Sequence, residues 1–164
     1  MSQGKGIVIG EGQMQVLEAV LAKLRRVSGS RFAALITTSG QPITVSPSDA
    51  ESDTLSLAAL AASSFAATRQ LAQLLSERQF TLLFHEGQEA NLHVVQVSDQ
   101  ILLLLTFGHD TQVGRVRLYT SRAVEALKPV FDAAEDIPDG TRALDQDFSR
   151  DAGHALDGLL SEGE

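Results

Sequence analysis

"LSLAALAASSFAATRQLAQLL", residues 55–75, carries one charged residue, Arg69, among seven alanines and a set of leucines. Alanine and leucine head the helix-propensity scale and no glycine or proline interrupts them, so the stretch predicts a long helix. A surface helix normally shows a charged side to water, and this one has almost no charge to show. Either it crosses a membrane or something docks on it. Thr54, Ser56, Ser63, Ser64, Thr68, Arg69, Gln70 and Gln73 spread polar groups through the length a bilayer would need apolar, which leaves a protein partner. On a helical wheel, Leu57, Leu60, Ala61, Ser64, Phe65, Thr68, Leu71, Ala72 and Leu75 gather on the side expected to face the core. Ala59, Ala62, Ser63, Ala66, Arg69, Gln70 and Gln73 gather opposite, a small and flat surface expected to receive another backbone. The competing reading is that alanine fills exposed positions for its helix propensity alone.

The chain has 164 residues and is 43% hydrophobic, enough for one domain with a real core and short for two. There is no cysteine, so disulfides and thiolate chemistry are excluded. The first fifteen residues hold only a three-residue apolar run, far short of a signal-peptide core, and the expected location is the cytoplasm. The net charge of -8 is unevenly placed. Residues 1–131 carry eleven acids and eleven bases, while residues 132–164 carry ten acids against Arg142 and Arg150. No basic stripe with interleaved aromatics is present, so nucleic-acid binding is not expected. The acidic tail would be repelled by anionic lipid, and no membrane insertion is expected.

Working outward from the long helix, Met14, Leu17, Val20, Leu21, Leu24 and Val27 repeat at helical spacing until Ser28–Ser30 stop the run. Residues 31–46 read as two short strands joined by a turn at Ser39 and Gly40, with Pro42 suiting an edge strand. Ser52 or Asp53 is the expected cap of the long helix. Three strands then follow in an antiparallel meander, at 80–86, 91–97 and 100–107. The unbroken apolar run Ile101–Leu105 predicts a central strand buried on both faces, with helices above and below the sheet. A third helix is expected from about 110 to 134, where Gly114 points to a close contact with the sheet. The domain is expected to end near residue 134, leaving 135–164 as an acidic tail. In that tail Phe148, Ala152, Leu156, Leu159 and Leu160 fall near one face of a short amphipathic helix. Folding against a partner and packing on its own domain are both open for it.

"FTLLF", Phe80 to Phe84, contains no charge and no proline. At a sheet edge nothing in it discourages a second strand from pairing, and monomeric proteins usually guard such edges. Pairing between two copies would extend the sheet and set two long helices side by side, so Phe80, Thr81, Leu82, Leu83 and Phe84 are the expected homodimer interface. Strand order is not fixed by sequence, and an interior strand would need no guard.

"LAASSFAATRQLAQLLSERQFTLLFHEGQEANLHVVQVSDQILLLLTFG" followed by "VGRVRLY" resembles the roadblock family, dynein-light-chain-like regulators of small GTPases. The resemblance spans residues 13 to about 134, and "FSRDAGHALDGLL" makes the chain look most like the family's bacterial MglB-like members. It implies an α+β fold of order α-β-β-α-β-β-β-α, a five-stranded antiparallel sheet between helices, and a homodimer joined through the third strand and central helix. It implies further an activator of a Ras-like GTPase of the MglA type that controls cell polarity. The docking surface carried over is Ala59, Ala62, Ser63, Ala66, Arg69, Gln70 and Gln73, with a second contact from Phe148, Ala152, Leu156 and Leu159. An activator either supplies an arginine in trans or holds the partner's own catalytic groups in place, and the resemblance favours the second route. The alternative is a scaffold that binds a GTPase or another partner without stimulating hydrolysis.

No Walker A loop, Gly-x-Ser-x-Gly elbow or His-Glu-x-x-His pattern is present, and no nucleophile and base converge, so the chain is not expected to be an enzyme. His85 and His93 flank a hairpin beside Glu86 and Glu89, but they read as ordinary hairpin side chains rather than zinc ligands. His109 and His154 have no evident partner. No metal and no cofactor are expected.

Overall fold

A computed structural model describes residues 7–49, 53–135 and 157–158. The elements run α1 (Glu11–Ser28), β1 (Phe32–Thr37), β2 (Pro42–Ser46), α2 (Thr54–Leu74), β3 (Leu82–His85), β4 (Asn91–Ser98), β5 (Ile101–Phe107) and α3 (Val113–Glu135). The strands form one antiparallel sheet in the order β2-β1-β5-β4-β3. This is the α+β arrangement the sequence predicts, with β5 at the centre, β2 at one edge and β3 at the other.

Alternation along the central strands divides the interior into two cores. Leu35, Leu103, Leu105 and Phe107 face α1 and α3, where they meet Leu17, Leu21, Leu24, Val116, Leu127 and Phe131. Ala34, Ile36, Leu102 and Leu104 face α2, where they meet Ala58, Ala61, Ala62 and Phe65. Ile101 to Leu105 are therefore buried without interruption, as the absence of alternation predicts. Each buried leucine contributes about 1.5–3 kcal/mol relative to exposure, so this strand is the fold's main apolar anchor.

The local stops have identifiable causes. Helix α1 ends at Gly29, whose φ of 77° is left-handed and lets its N–H return to the Arg25 carbonyl. The β1–β2 turn holds Gly40 at φ 90°, and a Cβ there would come within 2.8 Å of the Ala59 Cα, so the turn and α2 touch at backbone distance. Asp53 is the cap position of α2, but its carboxylate accepts from the Ser56 hydroxyl at 3.0 Å instead of a backbone N–H. Ser52 lies outside the described residues. Gly114 corrects the expectation placed on it: a Cβ there would meet nothing within 4 Å, so no sheet contact explains it. It is the second residue of α3, an end position where glycine costs less than in a helix interior.

The two faces of the sheet are covered unequally. Among the described residues, two helices cover one face and α2 alone covers the other. Five strands span roughly 19 Å between outer strands, whereas one helix with its side chains is about 10–12 Å wide. Of the described residues, this single helix leaves a large part of that face without cover.

Candidate functional site

The side of α2 that meets the sheet is made of its small residues. Ala58, Ala61, Ala62, Phe65 and Ala72 are buried, while Leu60, Leu71 and Leu75 are 66%, 55% and 69% exposed. The expectation that those three leucines and Ser64 face the core is therefore corrected. Alanines directly beneath the helix let its axis approach the sheet closely, and that rotates the bulkier leucines onto a flank. Of the residues expected to look outward, Ala59, Ser63, Ala66, Gln70 and Gln73 are exposed. Ala62 is 3% exposed and belongs to the core beneath the helix. Arg69 is half-buried and lies along its own domain: its Nη2 donates to Gln96 Oε1 on β4, and the guanidinium sits 5.7 Å from the centre of the Phe65 ring. It is not a free outward anchor.

The outer face is poorer in polar groups than its sequence suggests. The Ser63 hydroxyl donates to the Ala59 carbonyl at 2.8 Å, so it is satisfied within the helix. Ala67 and the 83% exposed Leu74 join this face, leaving Gln70 and Gln73 as its polar residues besides the serines. A partner seated here strips water from no charged side chain, which removes the largest desolvation cost of association.

The leucine flank has a direction. Ala59 abuts the β1–β2 turn through Gly40, at the β2 side of the sheet. Leu60, Ser64, Leu71 and Leu75 lie roughly 100–160° further around the helix, on the side of β3. Leu57, half-buried, packs into the same core as Phe80 and Leu83. Positions 57, 60, 64, 71 and 75 thus form a seam with the heptad-like spacing of paired helices, opening toward the sheet edge.

That edge is β3, which pairs with β4 and, among the described residues, has no neighbour on its other side. The backbone of Thr81 continues the β4 pairing, its carbonyl accepting from the Gln96 N–H at 2.9 Å. The rings of Phe80 and Phe84 are already engaged in their own domain. Phe80 lies 5.0 Å from Phe65 on the α2 side, and Phe84 lies 6.2 Å from Phe107 on the other. Leu83 is half-buried and Leu82 is 38% exposed. The open feature of this strand is its backbone rather than its aromatic rings.

The histidines resolve individually. His93 faces the α1/α3 core at 1% exposure, 6.5 Å from the Phe84 ring. Burial, reinforced by the nearby Arg117 charge, lowers its pKa from 6.5 to about 4. His85 is exposed and, eight positions away across the hairpin with register partner Leu92, lies on the opposite sheet face, so the two do not converge on an ion. His109, for which the sequence suggests no partner, has its Nε2 3.0 Å and 2.8 Å from the carbonyls of Gly87 and Gln88, fastening the β3–β4 hairpin to the loop before α3. Phe148, Ala152, Leu156 and Leu159 lie outside the described residues. Lys23 contacts Asp157 of the tail, a pairing that no sequence pattern suggests.

The sequence matches the Roadblock/LC7 domain over residues 16–107, and the chain belongs to that family, whose members are generally non-catalytic regulators. Solved structures similar to it include MglB proteins. Myxococcus xanthus MglB is 29% identical, with a TM-score of 0.72 over 82% of this chain and 99% of that one. The gliding protein MglB of Thermus thermophilus is 30% identical, with a TM-score of 0.70 over 79% of this chain and 97% of that one. A structure described as MglB with a tetrameric arrangement is 31% identical, with a TM-score of 0.70 over the same shares. No curated protein matches the sequence. Among the described residues, no helix is long and apolar enough to cross a membrane.

Proposed function

We propose that the protein is a homodimeric activator of a Ras-like small GTPase of the MglA type, acting in cell polarity. The observation that carries the reading is the shared direction of two open features, the leucine flank of α2 and the free edge of β3. Two copies joined edge to edge would bury both at once and form a ten-stranded sheet. The outer faces of the paired α2 helices, Ala59, Ser63, Ala66, Gln70 and Gln73 from each copy, would then make one charge-free platform. Small side chains on it permit close approach of the GTPase switch segments.

Activation proceeds by holding the partner's own catalytic groups in a productive arrangement, a route that requires no reacting group from the activator. The engagement of Arg69 by Gln96 and Phe65 supports this route over insertion of an arginine. The MglB neighbours, at about 30% identity across most of the chain, support the regulatory assignment. The test is single-turnover GTP hydrolysis by the cognate GTPase with and without this protein. Acceleration at saturating protein is expected. Binding with a flat rate would replace the activator with a scaffold, and absence of binding would reject both.

A further inference from the structure

Helix α2 rests on the sheet through residues that set its distance better than its rotation. Ala58, Ala61, Ala62 and Ala72 are buried beneath it, and their methyl groups make a nearly cylindrical surface that resists turning weakly. Hydrophobicity pulls against the observed rotation. Leu60, Leu71 and Leu75 stand more than half exposed. A turn of roughly 70° about the helix axis, at 3.6 residues per turn, would carry them beneath the helix and lift Ala62 out. Phe65, the one large side chain of the underside, falls within the sheet-facing arc of both orientations. Its packing alone does not choose between them.

Two contacts on the flank opposite the leucines do choose. Ala59 abuts the β1–β2 turn, where Gly40 admits its backbone. Ten positions further, roughly 15 Å along the axis, Arg69 Nη2 donates to Gln96 Oε1 on β4. The ring of Phe65, one turn back and 5.7 Å from the guanidinium, holds the arginine in the rotamer that reaches Gln96. Gln96 is fixed in turn. Its Nε2 donates to the Ser98 carbonyl at 3.1 Å, which aims Oε1 at Arg69, and its backbone N–H donates to the Thr81 carbonyl at 2.9 Å. A hydrogen bond from a charged donor is directional where alanine packing is not, and the turn that buries the leucines would pull Arg69 away from Gln96.

We infer that Arg69 is a positioning residue, a latch on Gln96 that holds α2 in the rotation presenting its leucine flank toward β3. The state it opposes is a rolled helix with Leu60, Leu71 and Leu75 hidden beneath it. Removing the latch shifts the protomer toward that state and withdraws the flank that a second copy would cover. This last consequence rests on the proposed dimer; the latch itself does not.

The 164 residues include no cysteine, so single introduced cysteines report exposure directly. Ala62→Cys and Ser64→Cys sit on opposite flanks of the underside, the first position 3% exposed and the second open to solvent. Iodoacetamide alkylation is timed for each in the full chain, with Arg69 intact and with Arg69→Met, which keeps the apolar stem and removes the donor. The protein is diluted until sedimentation gives the mass of one chain. Ala62→Cys should react about tenfold faster in Arg69→Met, the change that loss of a bond from a charged donor produces, while Ser64→Cys reacts no faster. Faster reaction at both positions would mean a frayed helix and would overturn the latch, as would an unchanged rate at Ala62→Cys. Gln96→Leu should reproduce the pattern, and combining it with Arg69→Met should add nothing, because both remove one contact. Additive effects would overturn the pairing. Every rate is read on single protomers, so a failed GTPase or dimer assignment would leave this result standing.

Discussion

Acidification should weaken this fold through one buried imidazole, by an amount that can be worked out in advance. His93 is 1% exposed, and its Nδ1 has no hydrogen-bond partner among the described residues. Burial first, and the Arg117 charge second, lower its pKa from 6.5 to about 4. Between these values the unfolded chain takes up a proton that the folded protein refuses. The stability conferred by neutral His93 is thus complete above the unfolded value and is lost as pH falls toward the folded one. From about pH 7.5 to about pH 5 the loss comes to about 2 kcal/mol, and the ceiling for the full shift is about 3 kcal/mol. Urea unfolding at those two pH values, at one protein concentration, measures it in the wild type and in His93→Leu. The leucine fills the same apolar site with nothing to titrate. The wild type should lose about 2 kcal/mol more than the variant. Equal losses would mean that His93 is hydrated or paired in solution, and the burial argument would fail.

Further outcomes are expected elsewhere. Ala66→Arg puts a charge on the outer face of α2 and should abolish GTPase binding while leaving the dimer intact; unchanged affinity in a pull-down would mean that the platform lies elsewhere. Leu71→Glu puts a charge in the leucine seam and should raise the dimer dissociation constant about tenfold or more, as a desolvated unpaired charge requires. Sedimentation would measure this, and an unaltered mass would count against the seam. Leu83→Lys should also weaken the dimer, but Leu83 is half-buried in its own core, so its effect mixes folding with association. Gly40→Ala should destabilise the fold by about 2 kcal/mol, combining the left-handed backbone with a steric clash against Ala59, and thermal unfolding checks it.

Element order is legible in the sequence because its periods are strong. Leu17, Leu21 and Leu24 repeat at helical spacing, and Ile101 to Leu105 show no alternation, each pattern admitting one burial environment. The edge position of β3 is suggested by an unguarded strand but needs the tertiary pairing to fix it. The orientation of α2 escapes the sequence pattern for a specific reason. A hydrophobic wheel weights leucine above alanine, whereas the sheet selects for residues small enough to bring the helix close. The wheel therefore turns Leu60 and Leu71 inward and Ala62 outward. Arg69 is unreadable in the same way, since its partner Gln96 lies 27 residues away on β4. Tail contacts such as Lys23 with Asp157 depend on a separation of 134 residues that no local pattern encodes.

The narrow roof that α2 provides over five strands has a consequence for abundance. If leucines that a lone protomer leaves in water are dried by a twin, resistance to heat and to proteases will climb with concentration rather than being a fixed property of the chain. Protein made in excess of what can pair would be cleared sooner, so supply and survival would be linked without a dedicated regulator.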